Sequence, residues 1–307
     1  MVLGYGVQPQ TEGSRELMTP KRRYGVLHEV LGDAWLWFSV TASDQVHVDV
    51  SRSEVLAVND LANLLSPAVV ALCANSSVIG GAPAGVQSSR EARMGTIHAE
   101  GHRHGMTEGP ASQGEAWIGR TMGLSYLMRR AEDGLTPVGR PFGEWLDDQE
   151  DVSIDAAFDA WLLHEHYIWN SARPRTAHGT VELRAACQQP WSDHMVSAAL
   201  GTAIVQGWRE IAAWLDELFD GDPWPALRAW HGEVVRSGLS APEPADGFLE
   251  GLLARCDAAL ASRGRGEEVY LAPLHQRVAV GRNPAAEALA AFESGGVAAL
   301  VERARIS

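Results

Sequence analysis

Apolar residues alternate with polar ones in two short stretches of this chain, and elsewhere they recur mostly at helical spacing. In Gln45-Val46-His47-Val48-Asp49-Val50 and Gly179-Thr180-Val181-Glu182-Leu183-Arg184, successive side chains of an extended backbone point to opposite faces. One face of each strand is then apolar. The polar faces carry Gln45, His47 and Asp49 on the first strand and Thr180, Glu182 and Arg184 on the second. Residues 1–10 also read as a strand, ending at Pro9, followed by a polar loop to Arg23. Helices are predicted over Tyr24–Leu31, from Ser53-Glu54 to about Asn63, and from Pro67 to Ala74, where proline suits a first turn.

The second half is largely helical: Ile154–Tyr167, Asp193–Phe219, Trp224–Ser237, Gly247–Arg263 and Pro284–Arg305. In the second of these, Ile204, Trp208, Ile211 and Leu215 keep helical spacing. Asn75 to Ser89 is rich in Gly, Ser and Asn and reads as a long functional loop. Residues 95–115 are Gly/His-rich and read as irregular. No repeat or domain boundary is evident, so 1–307 reads as a single α+β domain.

Composition narrows the chemistry. A formal net charge of −14 argues against general nucleic-acid binding, although Lys21-Arg22-Arg23, Arg129-Arg130 and Arg173/Arg175 could each form a local basic pocket. The 3 cysteines, Cys73, Cys187 and Cys256, are widely spaced among apolar or small residues and read as buried thiols of a reducing, cytoplasmic compartment. The start lacks the pattern of a signal peptide. The longest apolar run, Pro67 to Ala74, is too short to span a bilayer.

Glu182 and Arg184 could be an ordinary surface pair. The Arg173-Pro174-Arg175 segment just upstream and the turn at Gly179-Thr180 favour a site instead. Guanidinium forks suit phosphate or carboxylate oxygens, and glutamate is a hard ligand for Mg2+. The polar stripe Gln45, His47 and Asp49 is equally consistent with a solvated face and with the wall of the same cavity. The glycine-rich loop is no phosphate-binding GxxxxGK[ST] motif, but it could deliver Arg90 to an anion. His98, His102 and His104 form one potential zinc box and His164-Glu165-His166 another; neither has HExxH spacing. The former sits where a solvated loop is the simpler reading.

Several segments, in order, resemble plant-type glutamate–cysteine ligase. They are Gly4-Tyr5-Gly6-Val7-Gln8-Pro9, Thr19-Pro20-Lys21-Arg22-Arg23-Tyr24, Gln45 to Asp49, Ser53-Glu54, Ala74-Asn75-Ser76 with Gly80 to Arg90, Glu182-Leu183-Arg184, and the tail from Arg263 to Glu287. The resemblance implies a curved, largely antiparallel sheet cupping the active site, as in the glutamine synthetase and glutamate–cysteine ligase cup, with helices outside. It implies amide-bond formation between a small carboxylic or amino acid and an amine, using Mg2+ and ATP. Glu182 would be a Mg2+ ligand with Gln45 beside it, and Arg184 a phosphate or carboxylate contact. Arg90 would hold the acid, and Gln45, His47, Arg175 and Lys21 would serve the cofactor.

There are departures from the family pattern. The G-x-E-x-E strand that precedes these motifs in the family is not in this sequence, and only Glu182 of the expected carboxylate set is matched. An arginine expected ahead of Gln45 is replaced near Val40. A ligase with an altered, secondary-metabolic substrate is therefore the first expectation. The alternatives are an ATP-independent acyl transferase, an amide hydrolase using Zn2+, or a non-catalytic subunit of a split ligase. An uncovered sheet edge would favour a homo-oligomer or a partner chain.

Overall fold

The computed structural model describes residues 1–97, 100–111, 114–132 and 134–306. Helix α1 (Arg22–Leu31) is followed by 3-10 turns over Gly32–Val40 and by strand β1 (Val46–Asp49). Then come α2 (Val55–Leu64) and α3 (Ser66–Cys73), a small hairpin of β2 (Val78–Ile79) and β3 (Ala82–Pro83), and α4 (Ser89–Met94). The middle of the chain holds β4 (His104–Gly105), α5 (Gly114–Gly123), the hairpin β5 (Ser125–Ala131) and β6 (Gly134–Pro141), α6 (Phe142–Asp147) and α7 (Ile154–His166). Strands β7 (Trp169–Asn170), β8 (Ala172–Arg175) and β9 (Thr180–Leu183) lead into the helical half. That half comprises α8 (Val196–Gln206), α9 (Trp208–Leu218), α10 (Trp224–Ser237), α11 (Phe248–Ser262), α12 (Ala272–Val280) and α13 (Pro284–Ala304).

The fold is mixed α+β with small sheets and a helix-rich C-terminal half, and the described residues form no closed barrel. The central sheet has the order β1-β9-β8, antiparallel throughout. Its register sets His47 opposite Glu182 and Glu182 opposite Arg173, and in the next row Asp49 opposite Thr180 and Thr180 opposite Arg175. Because side chains alternate, Val46, Val48, Val181, Leu183 and Ala172 share the other face. Val181, Leu183 and Ala172 are buried there in one core with α2, α8 and α11. Gly201 of α8 lies so close that a Cβ on it would stand 3.2 Å from the Val46 side chain. Asn63 of α2 holds β8 by its edge, donating to the Ala172 carbonyl at 2.8 Å and accepting from the Ala172 amide at 3.1 Å. A second core gathers Tyr5, Leu27, Trp35, Trp37, Tyr126, Phe142 and Trp169 around α1 and the β5–β6 hairpin.

Several expectations need correction. Residues 1–10 form isolated bridges, Leu3 with Arg305 and Val7 with Thr41, and no regular strand; the first residues pair with the tail of the chain and with the end of the 3-10 segment. The expected helix Asp193–Phe219 is two helices, α8 and α9, meeting at Gly207. A Cβ there would lie 2.9 Å from that of Ala259 in α11, so close helix approach accounts for the glycine. Helix α13 bends at Gly295 and Gly296, which leave helical geometry. The Asn75–Ser89 loop contains the β2–β3 hairpin and leads into α4, capped by the Ser88 hydroxyl, which accepts from the Glu91 amide. All three cysteines are buried free thiols. Among the described residues no single helix is long and apolar enough to cross a membrane; the bent pair α2–α3 is apolar enough together, but its residues lie mostly in the core.

Candidate functional site

The polar face of the central sheet is where the site assembles, and the hairpin joining β8 to β9 sets its geometry. Gly179 closes that hairpin at φ +66°, a backbone region costly for any residue with a Cβ. The turn brings Arg173 and Arg175 alongside Glu182. Glu182 is almost fully buried, and both its oxygens are taken. Oε2 accepts from Arg173 Nε at 2.9 Å and from Arg175 Nη1 at 3.2 Å, while Oε1 is in direct contact with Arg184 Nη1. His47 stands 3.6 Å from Oε2 by its Nε2 and is fixed by Nδ1 against the Thr180 hydroxyl at 3.1 Å. Burial works to raise the Glu182 pKa, but Arg184, Arg173 and Arg175 outweigh it and bring it down to about 2. Burial and the neighbouring Arg173 in turn push Arg184 down to about 9.

The other neighbours complete a strongly cationic patch. Arg173 donates through Nη1 to the carbonyls of His166 and Ile168. Arg175 donates from Nη2 to His166 Nδ1 at 3.2 Å, which fixes the tautomer with the remaining proton on Nε2. Burial and the charges of Arg173, Arg175 and Arg23 lower the His166 pKa to about 4, so its ring is neutral. Glu165 accepts from the Thr176 amide at 2.9 Å and from its hydroxyl; burial raises its pKa. Gln45, exposed at the rim, accepts from Arg184 Nη1 at 2.9 Å and donates to the Ser43 hydroxyl.

Arg90, on α4, is 3 % exposed and donates from Nη1 to the Ala185 carbonyl, at 3.4 Å. It is close enough to Arg184 for its charge to depress that residue's pKa, yet among the described residues it makes no contact ion pair. The adjacent Glu91 is engaged by His231 at 3.2 Å. Arg184 likewise keeps a buried Nε without an acceptor among the described residues.

The structure therefore brings together Glu182, Arg184, Arg175, His47, Gln45 and Arg90. Lys21 instead stands exposed at the N-cap of α1 and touches none of these groups; Arg23, two residues on, is the cation of that segment whose field reaches His166. Arg173 was expected from sequence only as part of a local basic pocket with Arg175, and the structure makes it the direct partner of Glu182. His166 was expected only in a potential zinc box with His164 and Glu165; it instead contacts Arg173 and Arg175 from the end of α7.

His98 and the side chain of His102 lie outside the described residues, while His104 is buried with its ring stacked on Trp169 at 5.4 Å. His164 turns away from His166 and meets the Thr121 carbonyl at 2.8 Å. Among the described residues no group of three His, Cys, Asp or Glu side chains could hold a metal ion. The donors around Glu182 do not fit Mg2+ either. A divalent ion needs several oxygen ligands, and here one carboxylate is already covered by three guanidinium groups. What this patch suits is an anion: planar N–H forks in a buried, cationic site stabilise carboxylate oxygens, or the oxyanion that forms when an acyl carbon is attacked.

No curated protein matches the chain. The family model for glutamate-cysteine ligase family 2 matches residues 1–303, nearly the whole length. The chain belongs to glutamate-cysteine ligase family 2, a family of amide-bond-forming enzymes.

Proposed function

We propose that this protein is a carboxylate–amine ligase of its family whose sheet face binds the acid substrate by its anionic oxygens. One observation supports the reading most: among the described residues Arg173, Arg175 and Arg184 contact a single carboxylate, Glu182, and the buried Arg90 nearby has no contact ion pair. Glu91 and Asp44 act on Arg90 electrostatically but without contact; a buried charge lacking a contact partner is costly, and a substrate anion beside Arg90 and Arg184 relieves that cost.

In this reading Glu182 is a positioning residue. It holds three guanidinium groups around one carboxylate, and His166 fixes Arg175 from its other side. Arg184 and Arg90 offer their remaining N–H groups to the acyl group, and to the negative charge that develops on its oxygen when an amine attacks. The acid must be activated before the amine can displace its oxygen, and ATP is the activator that the family suggests. These residues do not fit the accompanying Mg2+, so the reading rests on no metal step. The acid is a small carboxylic or amino acid.

The test is nucleotide turnover by the full chain with a panel of acids and amines. Release of ADP or AMP that requires both an acid and an amine is expected. Nucleotide release indifferent to both, or acyl transfer without nucleotide, would overturn the ligase reading.

A further inference from the structure

The two outer edges of the central sheet differ. On β8 the Asn63 side chain bonds both the amide and the carbonyl of Ala172, and Pro174 has no amide to offer, so that edge is closed to a further strand. The edge of β1 has no such cover: among the described residues no strand pairs with its outer side. The Val50 amide donates to the Gly179 carbonyl, so by alternation Val46 and Val48 also turn their backbone groups toward β9. His47 and Asp49 turn theirs outward. Asp49 is exposed and has no ion pair or side-chain hydrogen bond among the described residues. A cavity of about 460 Å3 lies beside this edge, lined without a break by His47 to Ser51 and further by Val58, Val205 and Trp208. The edge therefore offers unpaired backbone groups together with space beside them.

We infer that this edge pairs with the same edge of a second copy of the chain, antiparallel about a two-fold axis at Val48. The edge sequence, Val46-His47-Val48-Asp49-Val50, is self-complementary about that residue. His47 stands opposite the partner's Asp49 and Asp49 opposite the partner's His47, and each such pair exchanges both of its N–H···O bonds. On the other face Val48 meets Val48 and Val46 meets Val50. These valines are only half-buried in the single chain, and the pairing covers them. The neighbouring staggers set Asp49 against Asp49 or His47 against His47, like against like, and are disfavoured. The pairing also lengthens one row of the polar face. In one copy that row runs Arg173, Glu182, His47, and the partner's Asp49 joins its end, about 5 Å from His47. A carboxylate without a partner in the single chain thereby meets the cationic cluster around Glu182, and each copy contributes a residue to the rim of the other's site. The inference needs no substrate and stands apart from the ligase reading.

Light scattering of the full chain over a dilution series, combined with hydrogen exchange, tests the inference. The wild type is expected to be a dimer whose His47 and Asp49 amides are protected. Asp49→Pro removes one outward amide and leaves the bonds between β1 and β9 in place. It is expected to weaken the dimer about tenfold or more, through the hydrogen bonds lost in both copies, with the far-UV circular dichroism retained. Val48→Cys, a change of little volume, reports the register without disturbing the edge. Directly opposed Cα atoms of such a pair lie about 4.5 Å apart, within disulfide reach, so oxidised glutathione is expected to give a covalent dimer. Val46→Cys is expected to give none, because its mate is the partner's Val50. A wild-type chain that stays monomeric throughout the series would overturn the inference. So would a dimer in which both amides exchange freely, a folded Asp49→Pro chain that dimerises like the wild type, or cross-linking by Val46→Cys and not by Val48→Cys.

Discussion

Glu182 and Arg173 face each other directly across β9 and β8, with 2.8 Å between Oε2 and Nη2. Both are almost wholly buried, and Arg173 spends its remaining donors on backbone carbonyls. The pair therefore forms the fixed centre of the cluster, while Arg184 and Arg90 keep donors for a ligand.

Breaking that centre separates a positioning role from a metal-binding one. Glu182→Gln leaves three guanidinium groups without their counter-charge, and removal of one partner of a buried pair costs about 3–5 kcal/mol. Urea unfolding should show a loss of that order. Because the patch becomes more cationic, inorganic phosphate should raise the Tm of Glu182→Gln more than that of the wild type. A metal ligand would behave differently: its loss would change the response to Mg2+ and not that to phosphate.

Acid unfolding follows from two groups with opposite charges but the same sign of linkage. The folded pKa of His166 is lowered to about 4 from 6.5, so the unfolded chain binds its proton first. The stability from keeping His166 neutral is present above about pH 6.5 and is lost as pH falls toward 4. The folded pKa of Glu182 is lowered to about 2 from 4.5, so its contribution is present above about pH 4.5 and is lost between there and pH 2. Each is on the order of 3 kcal/mol at most. His164, also lowered to about 4 by burial, titrates in the same window as His166. Denaturant titrations at stepped pH should show His166→Gln flattening the upper part of the acid limb and Glu182→Gln the lower part. An unchanged limb in both variants contradicts the assignments.

Gly179 sets the distance between Arg175 and Glu182. Gly179→Ala should cost about 1–2 kcal/mol, the penalty for a Cβ in the left-handed region, while Gly179→Asn should recover part of it. Thermal denaturation of the two variants provides the comparison.

The strands that form the site were legible because alternation specifies a face as well as an element. Val46, Val48, Val181 and Leu183 reach the core, and the residues between them gather at one surface. What escaped depended on contacts distant in sequence. The hairpin Ser125–Ala131 with Gly134–Pro141 interrupts its own alternation with Arg129-Arg130 and Pro137. Residues 1–10 look like a strand but meet only isolated partners at Thr41 and Arg305. The break at Gly207 reflects the approach of Ala259, more than fifty residues away, and periodicity carries no trace of it. In the site, spacing placed Thr180, Glu182 and Arg184 on one face, but it could not show that Glu182 would be saturated by arginines. That saturation turns an expected cation site into one that fits an anion.

The most direct measurement of that claim is calorimetric binding of glutarate to the full chain in EDTA, with wild type and Arg90→Gln compared. Glutarate should bind without any divalent ion, and Arg90→Gln should weaken it by about tenfold or more, as expected for a lost charge-assisted contact. Binding that appears only when Mg2+ is added, and that Arg90→Gln leaves unchanged, would contradict an anion site built from these arginines.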